Sequence, residues 1–233
     1  RIAAQTAKQV ILQKIREAEK NAIFGEFAQK AGTITNAMVL RFNGGNIIMD
    51  IGRAEGVMPY SEQSPNEHYR INQRLPVYIA RVDEGPRDQE IIVSRASPEL
   101  VRGLFKREVP EVGQGNVLIK AIAREPGSRS KVAVFSDQSG IDPVGSCVGQ
   151  KGVRVQAVIA ELGGMEKIDI IQWSEDPQKF ISAALSPAKD MTIIVDEKEK
   201  KARAVVADEE QSLAIGREGQ NVRLAAKLTG YKI

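Results

Sequence analysis

The chain has 233 residues, 42% of them hydrophobic and 27% charged, a balance that supports a buried core and excludes wholesale disorder. No apolar run approaches the ~20 residues that a membrane-spanning helix needs. Aromatics are only 5%, and 20 glycines with 10 prolines favour several small turn-rich domains over one large barrel. The formal net charge is +3, and it lies within residues 1–20, where Arg1, Lys8, Lys14, Arg16 and Lys20 face only Glu17 and Glu19. The remainder is balanced, so nucleic-acid binding has to be argued from local clusters and backbone motifs. One cysteine, Cys147, and one histidine, His68, exclude internal disulfides, multi-thiolate zinc sites and histidine clusters, and suit a reducing, cytoplasmic setting. The sequence opens at Arg1 on a charged helical pattern that is neither a signal nor a transit peptide, and a segment preceding it is expected.

Along residues 2–24, Ile2, Thr6, Gln9, Val10, Ile11, Leu12, Ile15, Ala18 and Ala22 recur at three to four among good helix formers, which predicts one amphipathic helix ending at Gly25 or shortly after. A connector to another domain and a core helix of the first domain fit this pattern equally. From Gly32 the periodicity changes to two, with strands predicted at 33–42, 46–51, around Val57, 75–82 and 90–95. Gly44 and Gly45 supply a tight hairpin turn, residues 84–88 a looser one, and the polar stretch 61–73 a long surface connection. Five strands with a long connection after the third match a five-stranded OB barrel, a fold that often holds single-stranded nucleic acid on its strand face. A small barrel with no ligand gives the same strand count.

Residues 99–106 then read as a helix, 116–124 and 131–135 as a hairpin turning at Glu125, Pro126, Gly127 and Ser128, residues 143–148 and 153–162 as two helices, and 167–173 as a strand. The hairpin is locally basic, with Lys120, Arg124, Arg129 and Lys131 against Glu125. The order recurs: helix 177–185, strands 191–196 and 202–206 around a charged turn, two helices and a final strand. The expected class is α+β multidomain, partitioned as a connector helix at 1–25, a five-stranded OB barrel at 26–97 and two units of αββααβ order at 98–175 and 176–233.

The repeats agree most closely at one point. Val148, Gly149, Gln150, Lys151, Gly152 in the first and Ile215, Gly216, Arg217, Glu218, Gly219 in the second each place a Gly-x-x-Gly tetrad between two helices. Glycine costs a helix roughly 1 kcal/mol relative to alanine, so four of them need a reason. A helix C-cap and tight turn would suffice for either tetrad alone. Their recurrence at the same place in the same element order favours the loop of the KH module, in which the missing Cβ atoms admit a sugar-phosphate backbone and the following helix offers unpaired N–H groups to phosphate. Candidate RNA contacts are Gly149, Gln150, Lys151, Gly152 and Arg154 in the first unit and Gly216, Arg217, Glu218, Gly219, Asn221 and Arg223 in the second, with Lys120 of the basic hairpin. Val148 and Val155, and Ile215 and Val222, are candidates for an apolar floor under the bases and serve equally well as core. Glu218 subtracts charge from the second loop, so the first is expected to hold phosphate better.

Catalytic patterns fail on inspection. A phosphate loop needs glycine before its lysine and a hydroxyl after it, but Gln150 and Gly152 flank Lys151. His68 lies in the polar connection without a nucleophile motif, Cys147 reads as buried filler, and Asp137, Asp142 and Asp169 fall at caps and strand ends. No catalytic residue, metal or cofactor is expected.

The stretch from Asp142 through Val158, with Glu161, Leu162, Gly163, Gly164 and residues 166–170, resembles the first KH domain of the bacterial NusA family of transcription factors, and residues 210–225 resemble its second. The barrel resembles that family's S1-type OB fold, and the opening helix its connector from an N-terminal polymerase-binding domain. The resemblance implies a non-enzymatic factor that contacts emerging single-stranded RNA, associates with RNA polymerase mainly through the domain absent here, and modulates pausing, termination and, with other Nus factors and ribosomal proteins, antitermination. A monomer with no membrane partner is expected. Two departures stand out: Val57 stands where such barrels often show an aromatic, leaving Phe42, Tyr60 and Arg95 as barrel contacts, and Gln150 stands where family loops often carry arginine. Competing readings are an RNA-targeting module of a ribonuclease such as polynucleotide phosphorylase, and a protein-interaction scaffold in which the basic hairpin meets an acidic partner.

Overall fold

The computed structural model describes residues 2–233; Arg1, counted among the N-terminal cations above, lies outside the described residues. The chain divides into two compact units, residues 1–63 with 68–96 and residues 64–67 with 97–233. In the first unit, helix α1 (Ile2–Lys30) carries on beyond Gly25, where or shortly after which an end was expected. A mid-helix glycine costs about 1 kcal/mol, whereas full burial of a phenylalanine side chain returns about 1.5–3 kcal/mol. Phe27 is buried in the barrel core with Ile23 and Phe24 packed beside it, so this turn is kept by tertiary burial. Earlier in α1, Val10, Ile11, Leu12 and Ile15 are exposed.

The barrel is closed in the order β1-β2-β3-β5-β4, from strands β1 (Ile34–Asn43), β2 (Asn46–Asp50), β3 (Glu55–Met58), β4 (Arg74–Glu84) and β5 (Gln89–Ser94). All neighbours are antiparallel except β3 and β5, the expected OB arrangement. Gly44 takes the positive φ of 61° that the β1–β2 turn needs. Arg95 does not serve as an exposed contact: it is 2% exposed and donates from Nη1 to the Pro76 carbonyl at 2.8 Å, so its guanidinium is a buried tie at the end of the barrel. Phe42 and Tyr60 are exposed at 50% and 79%.

In the second unit, residues 64–67 of the long polar connection pack with the chain that follows, Asn66 donating to the Gly127 carbonyl at 3.1 Å. Helix α2 (Pro98–Glu108), capped by Ser97, buries Leu100, Val101, Leu104 and Phe105. A short helix absent from the sequence reading, α3 (Pro110–Gly113), precedes strands β6 (Leu118–Glu125) and β7 (Arg129–Phe135), helices α4 (Pro143–Val148) and α5 (Val153–Glu161), and strand β8 (Lys167–Gln172). The sheet order is β6-β7-β8 with β7 and β8 parallel. The repeat follows as α6 (Pro177–Ala184), β9 (Thr192–Asp196), β10 (Lys201–Val205), α7 (Asp208–Ile215) and α8 (Gln220–Thr229). Its expected final strand is reduced to a single bridge between Lys201 and Lys232, because Tyr231 turns into the core, leaving Lys232 to pair its backbone with Lys200 and Ala202.

The two repeats share a core. Ala121, Ala123, Ala133 and Ile171 on one face of the first sheet join Phe180, Ile181, Leu224 and Ala225 of α6 and α8; alanines on the strands let the helices approach. Packing on both faces of this sheet explains why the hairpin is not a free basic patch. Arg124 is buried against Glu166 with a closest N–O distance of 3.0 Å, and the Asp169 carboxylate accepts from Arg129 at 2.8 Å and from Lys131 at 3.0 Å. Lys131 is wholly buried and also donates to the Ser186 carbonyl of the second repeat. Three of the four hairpin cations are thus consumed inside the fold, which removes the basis for an acidic partner docking there.

Burial by itself raises the Asp169 carboxyl, but hydrogen bonds and charge from Arg129 and Lys131 outweigh it and hold the group below its ordinary 3.8. Its contribution to stability is therefore complete above the unfolded value and is lost as pH falls through the lower folded one. Asp169→Asn should cost about 3 kcal/mol at neutral pH, and urea unfolding of parent and variant should converge as the pH is lowered past 3.8; a pH-independent difference would contradict this account.

Candidate nucleic-acid interface

The two Gly-x-x-Gly loops have the same backbone. Gly149 sits at φ 77°, ψ 171° and Gly216 at 77°, 168°; Lys151 sits at 53°, 25° and Glu218 at 55°, 25°; Gly152 sits at 75°, 15° and Gly219 at 74°, 13°. The first glycine of each pair lies in a region only glycine tolerates, and the third residue is a side-chain-bearing residue in left-handed conformation. The glycines do different work. A Cβ on Gly149 would fall 2.8 Å from Arg154 Cγ, and one on Gly216 would fall 2.7 Å from the Asn221 nitrogen, so the first glycine lets the loop close onto the helix after it. At Gly152 and Gly219 the nearest neighbours are 3.9 and 4.0 Å away; there the open side of the loop is what the missing side chain preserves.

Arg154 and Asn221, both expected to touch RNA, instead hold the loops together. Each stands five residues after the first glycine and reaches back to the end of the preceding helix. Arg154 Nη1 donates to the Ser146 carbonyl at 2.8 Å and to Glu111 at 2.8 Å. Asn221, 1% exposed, donates from Nδ2 to the carbonyls of Leu213, Ala214 and Leu185 at 3.0–3.1 Å. Helix-end carbonyls left unpaired by the sharp turn are satisfied this way. Arg223 is also committed: its Nε donates to Glu125 at 2.5 Å and its Nη1 to the Glu218 carbonyl at 3.0 Å. Gln220 adds bonds of 2.7 Å to Glu125 and to Ser128. The hydrogen bond from Arg223 lowers the Glu125 carboxyl, against partial burial and with help from Gln220. Lys120 lies on β6 with its ammonium 4.5 Å from the Trp173 ring centroid and 5.7 Å from that of Phe135, a cation–π arrangement.

The loop tips are left free. Gln150, Lys151, Arg217 and Glu218 are exposed, and among the described residues none of their side chains has a hydrogen-bond or ion-pair partner. Beside the second loop, an apolar groove of about 270 Å³ opens between β10 and helices α7 and α8, lined by Ala202, Ala204, Val206, Gln211, Ile215 and Val222. Ile215 is 45% exposed and lines this groove, and Val148 in the first KH repeat is half-buried. Val155 is core. A recess of about 310 Å³ lies between the two KH repeats, bounded by Ser128 and Lys167 of the first repeat and by Gly216, Arg217 and Gln220 of the second. Sequence reasoning missed Ser128, Lys167 and Gln220, because only the fold brings the hairpin turn to a loop far along the chain. His68 is exposed, as expected, and burial pushes the Cys147 thiol up to about 12, which suits packing and not reactivity.

A five-stranded OB barrel and two KH folds with matching phosphate-sized loops define a modular nucleic-acid-binding protein. Comparison with known proteins agrees. A family model described as the S1 RNA binding domain matches residues 28–95, and models described as the NusA-like first and second KH domains match residues 95–173 and 177–233. The whole chain aligns at 50% identity with the transcription termination/antitermination protein NusA of Bacillus subtilis, covering 62% of it. It aligns at 50% identity with that of Thermus thermophilus, covering 60%, and at 47% with that of Mycobacterium tuberculosis, covering 70%. The chain belongs to the NusA family. It spans about three fifths of the first two relatives' length, and the membership displaces the ribonuclease-module reading.

The two glycines of a tetrad should respond differently to substitution. Gly149→Ala combines backbone strain of about 1–3 kcal/mol with overpacking of about 1–3 kcal/mol, whereas Gly152→Ala carries only the left-handed strain of about 1–2 kcal/mol. Urea midpoints should therefore fall further for Gly149→Ala; equal losses would refute the closing role of the first glycine.

Proposed function

We propose that the chain grips extended single-stranded RNA along its two KH units and, as part of a longer cytoplasmic protein, modulates pausing, termination and antitermination by RNA polymerase. The observation that carries this is the pair of loops with superimposable dihedrals and unoccupied tips, each beside helices whose N-terminal amides face the loop. The names of the relatives support the transcriptional setting. In this reading Lys151 and Arg217 meet phosphates, Gln150 and Glu218 flank them, and the groove over Ile215 and Val222 receives bases, with Lys167 in the recess carrying the strand between units. Phe42 and Tyr60 remain as contacts on the barrel, which adds modest affinity. Polymerase, other Nus factors and ribosomal proteins are the partners, reached mainly through parts of the protein outside this chain. The chain acts as a non-catalytic monomer without cofactor.

Because the units share a core, binding to one presents the other at high effective concentration. Gln150→Asp with Lys151→Asp should weaken binding of a single-stranded oligoribonucleotide by about tenfold or more, a loss of about 1.4 kcal/mol, while the thermal midpoint barely moves, since neither side chain has a partner to lose. Fluorescence polarisation that shows unchanged affinity would count against the site. Affinity should also decline linearly in log–log fashion with salt, at about 0.7 per neutralised phosphate; a flat response would mean that phosphates are not what the loops hold.

A further inference from the structure

The two KH units treat their outer edge strands differently. β6 and β9 each pair with a single neighbour, β7 and β10 respectively, so each directs main-chain groups away from its sheet. In the first unit that edge is plugged: Arg102 of α2 donates from Nη1 to the Ile119 carbonyl at 2.8 Å and is braced by Glu99 at 2.9 Å. The buried residues Leu100, Val101, Leu104 and Phe105 have the same spacing as Phe180, Ile181, Ala184 and Leu185, which sets Arg102 against Ser182 and Glu99 against Lys179. Serine cannot span the distance that arginine does. In place of the plug, the second KH repeat has an open cleft of about 660 Å³ whose lining includes Asp176, Gln178, Lys179, Ser182, Met191 and Ile193.

The direction of the free groups follows from the pairing. Ala202 N–H donates to the Lys232 carbonyl, and Lys232 N–H donates to that of Lys200, so even-numbered residues of β10 point away from β9. Lys201, Arg203 and Val205 then bond to Asp196, Ile194 and Thr192, their partners in register, and the alternation leaves the N–H and C=O of Ile193 and Val195 facing outward. No hydrogen bond to these outward groups exists among the described residues. Beside them, Ile194 is 52% exposed on the open face of the sheet. On the other side Lys179 makes no ion pair among the described residues, while the Asp176 carboxylate is engaged in capping α6 through Gln178 N–H at 3.0 Å.

We infer that β9 is a docking edge for an extended peptide segment in which β-branched apolar residues alternate with acidic ones. Such a segment adds a strand to the sheet: its main chain pairs with Ile193 and Val195, its apolar side chains lie against Ile194, and its carboxylates project over α6 to Lys179. The edge is on the opposite side of the sheet from the groove at β10, so the inference stands apart from the RNA reading.

The test titrates the isotope-labelled chain with a blocked octapeptide of alternating valine and glutamate at neutral pH. The Ile193 and Val195 amides should shift and their hydrogen exchange should slow by about tenfold or more at saturation, as new main-chain bonds require. Ser182→Arg, which restores the plug of the first unit, should abolish these changes while RNA affinity and the unfolding midpoint stay at the parent values. Lys179→Glu should weaken the valine–glutamate peptide and admit a valine–lysine one. Amides that do not move at millimolar peptide, binding undiminished in Ser182→Arg, or the same amides shifted by an RNA oligomer instead of the peptide would each overturn the inference.

Discussion

The face shared between the first KH sheet and helices α6 and α8 is the constraint on which the rest of the second unit depends. A KH sheet has helices on one side only, and its other side must be covered or solvated. Here it is covered by the next repeat, through alanines at 121, 123 and 133 that leave room for helix backbones. Charge was brought into that interface as well, and Arg129 and Lys131 meet Asp169 there, while on the opposite face of the sheet Arg124 is paired with Glu166 inside the first repeat. Buried pairs of this kind contribute little net stability compared with apolar packing, yet breaking one is costly, so they fix orientation more than they add strength. Glu125 extends the arrangement to the rim, where Arg223 and Gln220 tie the hairpin to the helix following the second loop.

That rigid pairing is what makes two weak loops into one surface. The recess between Ser128, Lys167, Gly216 and Arg217 exists only because the hairpin turn of one repeat is pinned against the loop of the other. The repeats are not equal partners in it. The first loop has Lys151 at its strained position and the second has Glu218, so the first carries the more positive tip, while an apolar groove lies beside the second.

Much of this was legible in the residues. Strand positions in the barrel followed from period-two alternation and glycine turns, and the tetrads from their recurrence, because both signals are local and repeated. What was not legible was the fate of individual charges. Arg154 and Asn221 look like surface polar residues beside a loop, but position five after the first glycine is where the chain needs a donor for helix-end carbonyls. Arg95 and the hairpin cations were misread for the same reason: the carboxylates and carbonyls that neutralise them come from distant segments, and charge counting within a window cannot see them. The extra turns of α1 were hidden because a glycine argued for a stop while Phe27, three-dimensionally a barrel residue, argued for continuation.

The matched dihedrals of the two loops have an evolutionary corollary. Shape is secured by glycines and by the fifth-position clamp, whereas Gln150, Lys151, Arg217 and Glu218 support nothing inside the protein. Side-chain identity at Gln150 and Arg217 is therefore little constrained by folding, whereas Lys151 and Glu218, at φ 53° and 55°, exchange readily only with residues that accept left-handed backbone, so natural selection can retune one copy without reshaping the other.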